Sequence, residues 1–213
     1  KKYNIECEAT NTGTIHAAHG KSGLAELQYR KTEWDRLGAP VDLLSADETA
    51  ELTGTRRFYG ALVDHRAGTI NPMGYCRGLA RAALKNGAKL TTNCRVHDLK
   101  KEKDGWRLLA ANGEFRAKHL ILSTNAYTDK LWPGLSRTFT RINYFNCATL
   151  PLGERIKHIL PQRQGLWDTG KIMFSLRRDK HDRLIIGSMG RSHGTCESGI
   201  TKRWASAQLK RLF

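Results

Sequence analysis

Residues 71–126 read NPMGYCRGLARAALKNGAKLTTNCRVHDLKKEKDGWRLLAANGEFRAKHLILSTNA, and this stretch decides the fold class. Asn71 and Pro72 supply an N-cap and a first-turn proline, and Gly87 terminates the helix that they predict over residues 73–86. Short strands are predicted after it, at residues 89–91, 96–99, 106–109, 114–118 and 119–124. The Asn112-Gly113 pair is a strong hairpin signal. A helix, an antiparallel meander and a buried strand together indicate an α/β unit.

On both sides of this unit the sequence predicts strands and helices in a different order. Before it come a strand at residues 6–15, a helix at 23–37 and a short helix opened by a capping box from Ser45 to Glu48. After it come strands at residues 141–150, 171–177 and 183–187, and a helix at about 201–212. The fold class predicted from this order is α+β with an embedded α/β unit.

Composition excludes several classes of protein. The chain has 213 residues, of which 39% are hydrophobic and 26% charged, as in a globular protein with a real core. No apolar run approaches the roughly 20 residues that span a bilayer. The five cysteines (Cys7, Cys76, Cys94, Cys147 and Cys196) form no C-x-x-C pair, which predicts free thiols, a reducing compartment and a cytoplasmic location.

The net charge of +16 leaves nucleic-acid or anion binding open as an alternative function. Residues 1–70 carry 9 basic and 10 acidic side chains, so the whole excess lies in residues 71–213. The basic residues occur singly or in pairs rather than in the blocks of 5–8 that are typical of nucleic-acid tails. A basic binding module is therefore the alternative, and a stand-alone interaction domain is a third interpretation.

Local motifs assign no phosphate loop, metal site or nucleophile. Gly20-Lys21-Ser22 resembles the end of a P-loop, but the glycine required five residues earlier is replaced by Ile15. His16 and His19 have no cysteine or carboxylate at a spacing that suits a metal ion, so no metal is predicted. No G-x-G-x-x-G motif is present, and no catalytic base can be named.

Several stretches, taken in order, resemble the FAD-dependent D-amino-acid oxidase superfamily. They are residues 64–72 (DHRAGTINP), 78–84 (GLARAAL) with Gly87-Ala88, Val96, 120–127 (LILSTNAY) and 174–190 (FSLRRDKHDRLIIGSMG). Glu6-Cys7-Glu8 and residues 125–128 (NAYT) are most similar to the γ-glutamylputrescine oxidase-like and glycine oxidase-like branches. The resemblance extends over nearly the whole chain.

The resemblance implies a fragment of a longer flavoenzyme, because the family's N-terminal G-x-G-x-x-G segment and its C-terminal flavin-binding segment are missing. It implies a substrate domain built from residues 1–57 and 136–213 around an antiparallel sheet. Residues 58–135, with a β-meander at 95–118, would be the middle of a Rossmann-like FAD-binding domain. The full-length protein would transfer a hydride from the C–N bond of a small amine or amino acid to FAD, with O₂ as the acceptor. The fragment itself is expected to be inactive alone.

The resemblance also implies roles for particular residues. Val96 would meet the adenine through its backbone, and Ser123, Thr124, Asn125 and Ala126 would form a strand end close to the cofactor. Asn125 stands where the family commonly has glycine. Tyr144, Phe174 and Arg177 would lie on the substrate side, where Arg177 can pair with a substrate carboxylate.

Overall fold

The computed structural model describes residues 2–191 and 194–213, with the backbone alone for residues 194–197. The elements in chain order are β1 (Thr14–Ala17), α1 (Lys21–Arg36), β2 (Val41–Leu44), α2 (Ala46–Thr53), β3 (Ala61–Asp64), α3 (Pro72–Lys85), β4 (Val96–Glu102), β5 (Gly105–Ala110), β6 (Gly113–Ala117), β7 (Tyr144–Ala148), β8 (Gly165–Asp168), β9 (Phe174–Arg178), β10 (Leu184–Met189) and α4 (Gly194–Leu212). No helix in the described part of the chain is long and apolar enough to cross a membrane. Cys7, Cys76, Cys94 and Cys147 are free thiols, and Cys196 lies outside the described side chains.

The chain divides into two compact units. The first consists of Lys1–Leu79 and Asn143–Phe213, and the second of Ala80–Ile142. The sequence placed the boundaries earlier, after residues 57 and 135. The first boundary lies further along the chain because β3 pairs with β1 and β2 and so belongs to the sheet of the first unit. The substrate and cofactor roles of the predicted domains stay predictions.

The first unit contains a seven-stranded mixed sheet in the order β2-β3-β1-β8-β9-β10-β7. Strands β1 and β8 are parallel, and the other neighbours are antiparallel. This mixed sheet with helices confirms the predicted combination of α and β structure. The parallel pair joins two parts of the chain that are about 150 residues apart, which no local sequence signal indicates.

The larger core cluster lies on one face of this sheet, and a smaller cluster of Ala18, Leu27, Val41 and Leu62 packs under α1 on the other face. Since side chains alternate between the faces of a strand, residues paired across neighbouring strands share a face. One such row runs through five strands and is almost fully buried apart from its last member: Ile15, Leu166, Leu176, Ile186 and Cys147. Helix α4 packs on this face, where Trp204 meets Phe145 edge-on at 5.4 Å between ring centroids. Burial of these side chains is the main stabilising contribution to the unit.

The second unit contains the predicted meander as the three-stranded sheet β4-β5-β6. Glu102 on β4 and Glu114 on β6 each lie 3.0–3.7 Å from Arg107 on the central strand β5 and from Arg116 on β6. The pairs of Arg107 with Glu102 and with Glu114 join neighbouring strands, and cross-strand pairs of opposite charge stabilise a sheet. Ala110 is the one apolar side chain of residues 80–142, all described, that is buried in this unit.

The predicted starts of α2 and α3 are confirmed, whereas α1 begins at Lys21 instead of residue 23 and α4 begins at Gly194 instead of about residue 201. Ser45 accepts a hydrogen bond from the Glu48 N–H at 3.3 Å, while the Glu48 carboxylate accepts from the Ser45 N–H at 2.8 Å. Asn71 caps α3 by accepting from the Gly74 N–H at 3.1 Å. A hairpin turn joins β9 to β10, in which the Asp179 carboxylate accepts from the backbone N–H groups of His181 and Arg183.

Three predicted strands are wrong. Residues 6–13 are irregular because Glu8 adopts a φ of 52°, which is incompatible with an extended strand. Residues 89–91 form no ladder. The buried strand at 119–124 is absent as well, since no described strand pairs with it and Ile121 is 85% exposed. Its apolar letters predicted burial, but a strand needs a neighbour for its backbone hydrogen bonds.

Candidate functional site

A cavity of about 480 Å³ lies in the second unit, between the β4–β5 pair and the segment 120–131. Three of the five predicted cofactor residues, Val96, Ser123 and Thr124, line it together. The other lining residues are Arg95, Leu99, Leu108, Leu120, Ile121, Leu122, Tyr127, Asp129 and Leu131. The cavity therefore has mostly apolar walls, with hydroxyl and charged groups among its lining residues.

Val96 enters this cavity next to a β-bulge. Val96 pairs with Ala110 and Asp98 with Leu109, so His97 is an extra residue in β4. A bulge bends its strand and interrupts the ladder, which exposes backbone polar groups that a ligand can use. This local geometry suits the backbone contact that the sequence predicted for Val96.

Asn125 and Ala126 do not line the cavity, in contrast to Ser123 and Thr124. They form a short 3-10 turn with Tyr127, and both are exposed. Asn125 has a φ of 44°, in the left-handed region that glycine and asparagine tolerate best. Asparagine can therefore stand where the family commonly has glycine, because the backbone needs a positive φ there. The Thr124 and Thr128 hydroxyls close the turn at 2.6 Å.

An ion pair connects the two sides of the cavity. The Arg95 guanidinium donates to the Asp129 carboxylate at 2.9 Å, and the Leu131 N–H donates to the same carboxylate at 2.9 Å. The Leu131 N–H and the Arg95 side chain hold the pKa of Asp129 below its ordinary value. The carboxylate is thus fixed and ionised at the edge of the cavity.

The predicted substrate residues Tyr144 and Arg177 lie in the first unit, on the sheet face opposite the larger core cluster. A row on this face crosses five strands and comprises His16, Trp167, Ser175, Gly187 and Asn146. The Tyr144 hydroxyl reaches from β7 over β10 to the Ser175 hydroxyl on β9, at 2.8 Å. Arg177 is two residues further along β9 than Ser175, and no described carboxylate lies within ion-pair distance of it.

Phe174 is not part of this surface. It is 4% exposed and packs in the core with Leu176, on the opposite face of β9 from Ser175 and Arg177. The prediction of a substrate contact for Phe174 therefore does not fit the structure. The alternation in residues 174–178 (FSLRR), with apolar residues at 174 and 176, indicates that Phe174 faces the core.

His16 is a buried titratable group to which the sequence assigned no function. Its ring stacks on Trp167 with 5.1 Å between centroids. Burial, followed by the positive charge of Arg30, lowers the pKa of His16 from 6.5 to about 4. The imidazole is consequently neutral at neutral pH. No cluster of three potential metal ligands occurs among the described residues.

Comparison with known proteins places these features in a family. The profile of the DAO family, described as FAD dependent oxidoreductase, matches residues 1–213. Gamma-glutamylputrescine oxidoreductase of Escherichia coli is 27% identical over 216 residues, covering 100% of this chain and 50% of that protein. The probable oxidoreductase OrdL of Haemophilus influenzae is 23% identical, covering 88% of this chain and 45% of its own length. The chain thus spans about half the length of these curated relatives.

Solved structures show the same fold. Glycine oxidase from Geobacillus kaustophilus aligns with a TM-score of 0.71 at 20% identity, covering 88% of this chain and 50% of that one. L-proline dehydrogenase from P. horikoshii aligns with a TM-score of 0.70 at 18% identity, covering 89% and 51%. Because the family profile matches the whole of the sequence, the chain belongs to the DAO family of FAD dependent oxidoreductases.

Proposed function

We propose that this chain is part of a FAD-dependent enzyme that oxidises the C–N bond of a small amine or amino acid. The observation that carries the proposal is the family match over residues 1–213, together with the cavity that Val96, Ser123 and Thr124 line. The relatives named for gamma-glutamylputrescine and glycine support an amine or amino acid as the substrate class. The chain spans half of such proteins, so the activity is proposed for the full-length protein, and the chain alone is expected to be inactive.

The residues around the cavity fit the adenosine part of FAD. Its volume of about 480 Å³ lies within the roughly 300–1,000 Å³ usual for small-molecule sites. Apolar walls from Leu99, Leu108 and Leu131 suit a flat ring, and the Ser123 and Thr124 hydroxyls suit the polar sugar. Val96 and these two residues would hold the group, while the backbone around Asn125 and Ala126 would pass nearby.

The chemistry that FAD supplies when bound is acceptance of a hydride from the carbon beside the substrate nitrogen, with O₂ as final acceptor. The residues of this chain would bind the substrate and orient it. On the sheet face of the first unit, Tyr144 offers a hydroxyl and Arg177 a guanidinium without a carboxylate partner among the described residues. A guanidinium binds a carboxylate through two parallel hydrogen bonds, so Arg177 is the proposed partner of a substrate carboxylate.

The absorption spectrum of the purified full-length protein tests this function. We expect a flavin spectrum and oxygen consumption with an amine or amino acid. Leu108→Trp, which fills the cavity, should lower the flavin content several-fold, because no space remains for the ring. Leu150→Trp at a position that is 82% exposed is the matched control and should keep its flavin. A colourless full-length protein contradicts the proposal, as does full flavin content in Leu108→Trp.

We also propose a cytoplasmic location, which the free thiols of Cys7, Cys76, Cys94 and Cys147 support. No observation favours the nucleic-acid alternative. Several arginines of both units pair with carboxylates, among them Arg30, Arg66, Arg95 and Arg107.

A further inference from the structure

The hydrogen bond between Tyr144 and Ser175 depends on the absence of a side chain at Gly187. Tyr144 is on β7 and Ser175 on β9, so the two are separated by the whole of β10. Neighbouring strands lie about 4.8 Å apart, and the tyrosine ring must therefore cross about 10 Å of sheet. It does so directly over Gly187, which pairs with Ser175 on one side and Asn146 on the other.

Any side chain at position 187 would occupy the space of this ring. A Cβ atom built there would lie 2.7 Å from Cε1 of Tyr144 and would also overlap the Asn146 side-chain oxygen. The backbone of Gly187 is not in the left-handed region, so conformational freedom is not why this strand needs glycine. A glycine inside a strand weakens it and often marks a close approach by another group. Here three groups approach: the Asn146 side-chain oxygen, the Phe145 carbonyl oxygen and the ring of Tyr144, and the ring is the one that crosses the strand.

We propose that Ser175 and Gly187 are positioning residues for Tyr144. Gly187 provides the gap through which the ring crosses β10, and Ser175 fixes the hydroxyl at the end of the crossing. A phenol hydroxyl has one donor and two acceptor positions, so the bond to Ser175 leaves capacity for a ligand. Tyr144 remains 42% exposed, and that capacity is accessible to a ligand on this face.

The fixed hydroxyl lies next to the proposed partner of the substrate. Ser175 and Arg177 are two positions apart on β9, which places them on the same face about 7 Å apart along the strand. A free Tyr144 side chain would sample several rotamers, and ordering it on binding would cost affinity. The bridge to Ser175 removes that cost beforehand. The inference deepens the proposed function and rests on it for the identity of the ligand.

Two measurements test the positioning role. The first uses the full-length protein with ¹³Cζ-labelled tyrosine, where Tyr144→Phe assigns the NMR signal of Tyr144. Ser175→Ala and Gly187→Val should each shift that signal, and Ser175→Thr should restore it because threonine keeps the hydroxyl. Tyr29→Phe, at a tyrosine that is 68% exposed, is the control and should leave the Tyr144 signal unchanged.

The second measurement uses steady-state kinetics of the full-length enzyme. Ser175→Ala should raise KM about 3- to 10-fold at unchanged kcat, as expected for the loss of one hydrogen bond that orders a binding group. Ser175→Thr should recover the wild-type KM. A purely structural role would instead lower the content of folded enzyme and leave KM unchanged.

The outcomes separate this inference from the proposed function. An unchanged Tyr144 signal in Ser175→Ala overturns the bridge, whether or not the enzyme is active. A shifted signal with an unchanged KM overturns the positioning role. If the full-length protein oxidises no amine or amino acid, the proposed function fails, and the NMR comparison still decides whether Ser175 and Gly187 hold Tyr144. Because Gly187→Val can also disturb the backbone of Phe145, Ser175→Ala is the deciding variant.

Discussion

His16 connects the stability of the first unit to pH. Its pKa is about 4 in the folded protein, against 6.5 for an ordinary histidine, so the unfolded chain takes up the proton first as the pH falls. The stability that depends on a neutral His16 is complete above pH 6.5 and is lost between pH 6.5 and 4. At pH 5 the expected loss is about 2 kcal/mol. Urea denaturation at pH 7 and pH 5 measures it.

His16→Gln isolates this contribution from those of other groups. The carboxylates with altered pKa values, such as Asp168 and Asp179, titrate equally in both proteins, and their effect cancels in the comparison. Glutamine stays neutral, so the variant should lose about 2 kcal/mol less than the wild type between pH 7 and 5. An equal loss in both proteins would show that His16 does not carry the acid sensitivity.

At the scale of residues, the resemblance grouped Val96, Ser123 and Thr124, which line one cavity, and their role in binding a cofactor stays a prediction. The bulge at Val96 and the hydroxyls of Ser123 and Thr124 do meet at one cavity. The relation of Tyr144 to Ser175 could not be predicted, because it depends on which strand lies between them. The substrate role that the resemblance implied for Phe174 does not agree with its burial, which the alternation of apolar residues at 174 and 176 predicts.

The start of helix α2 is stabilised by the capping box of Ser45 and Glu48, which can be identified from the sequence alone. Ser45 is exposed, so its replacement removes the cap without creating a cavity. Ser45→Ala should lower the free energy of unfolding by about 1 kcal/mol, because one N–H at the helix start loses its acceptor. Ser45→Asp should keep most of the stability. Thermal and urea unfolding measure both variants, and an unchanged midpoint in Ser45→Ala would show that water replaces the cap without cost.

The segment at residues 120–122 shows the opposite case, an element that local signals predict wrongly. Leu-Ile-Leu reads as a core strand, but strand formation requires a paired neighbour, which no local pattern supplies. Since Ile121 is 85% exposed, Ile121→Thr should change the free energy of unfolding by less than about 0.5 kcal/mol. Leu176→Ala, 2% exposed in the wild type, is the control and should cost about 2–5 kcal/mol. A comparable loss in both variants would restore the core interpretation.

For the whole molecule, the sequence predicted local elements, whereas it did not predict which distant strands pair in the sheet. Helix starts and hairpins follow from residues that are neighbours in the chain, such as Asn71-Pro72 and Asn112-Gly113, and they were predictable. The sheet of the first unit places β1 beside β8, and this pairing arises from the burial of Ile15 against Leu166. The register of the sheet then brings together the row from His16 to Asn146 on the opposite face, whose members come from five separate strands.

The two units also differ in the amount of core that holds them, and this difference predicts their dynamics. Strands β1, β8, β9 and β10 carry the buried row of the first unit, whereas Ala110 is the one buried apolar residue of residues 80–142. Amide hydrogens open more often where few apolar contacts must be broken. Hydrogen exchange measured by mass spectrometry should therefore be at least about tenfold faster in β4–β6 than in β8–β10.

FAD binding should reduce the difference in hydrogen-exchange rate between the two sheets, because it slows exchange in the second unit alone. A molecule that binds the folded state alone stabilises it by an amount that grows with the logarithm of its free concentration relative to Kd, so FAD bound in the cavity should slow exchange in peptides that cover residues 95–99 and 120–131. Exchange in β8–β10 serves as the internal control, because these strands contribute no residue to the cavity. Equal protection of both sheets without FAD would contradict the link between buried apolar area and local stability. Slowed exchange in β8–β10 instead of the cavity peptides would place the cofactor elsewhere.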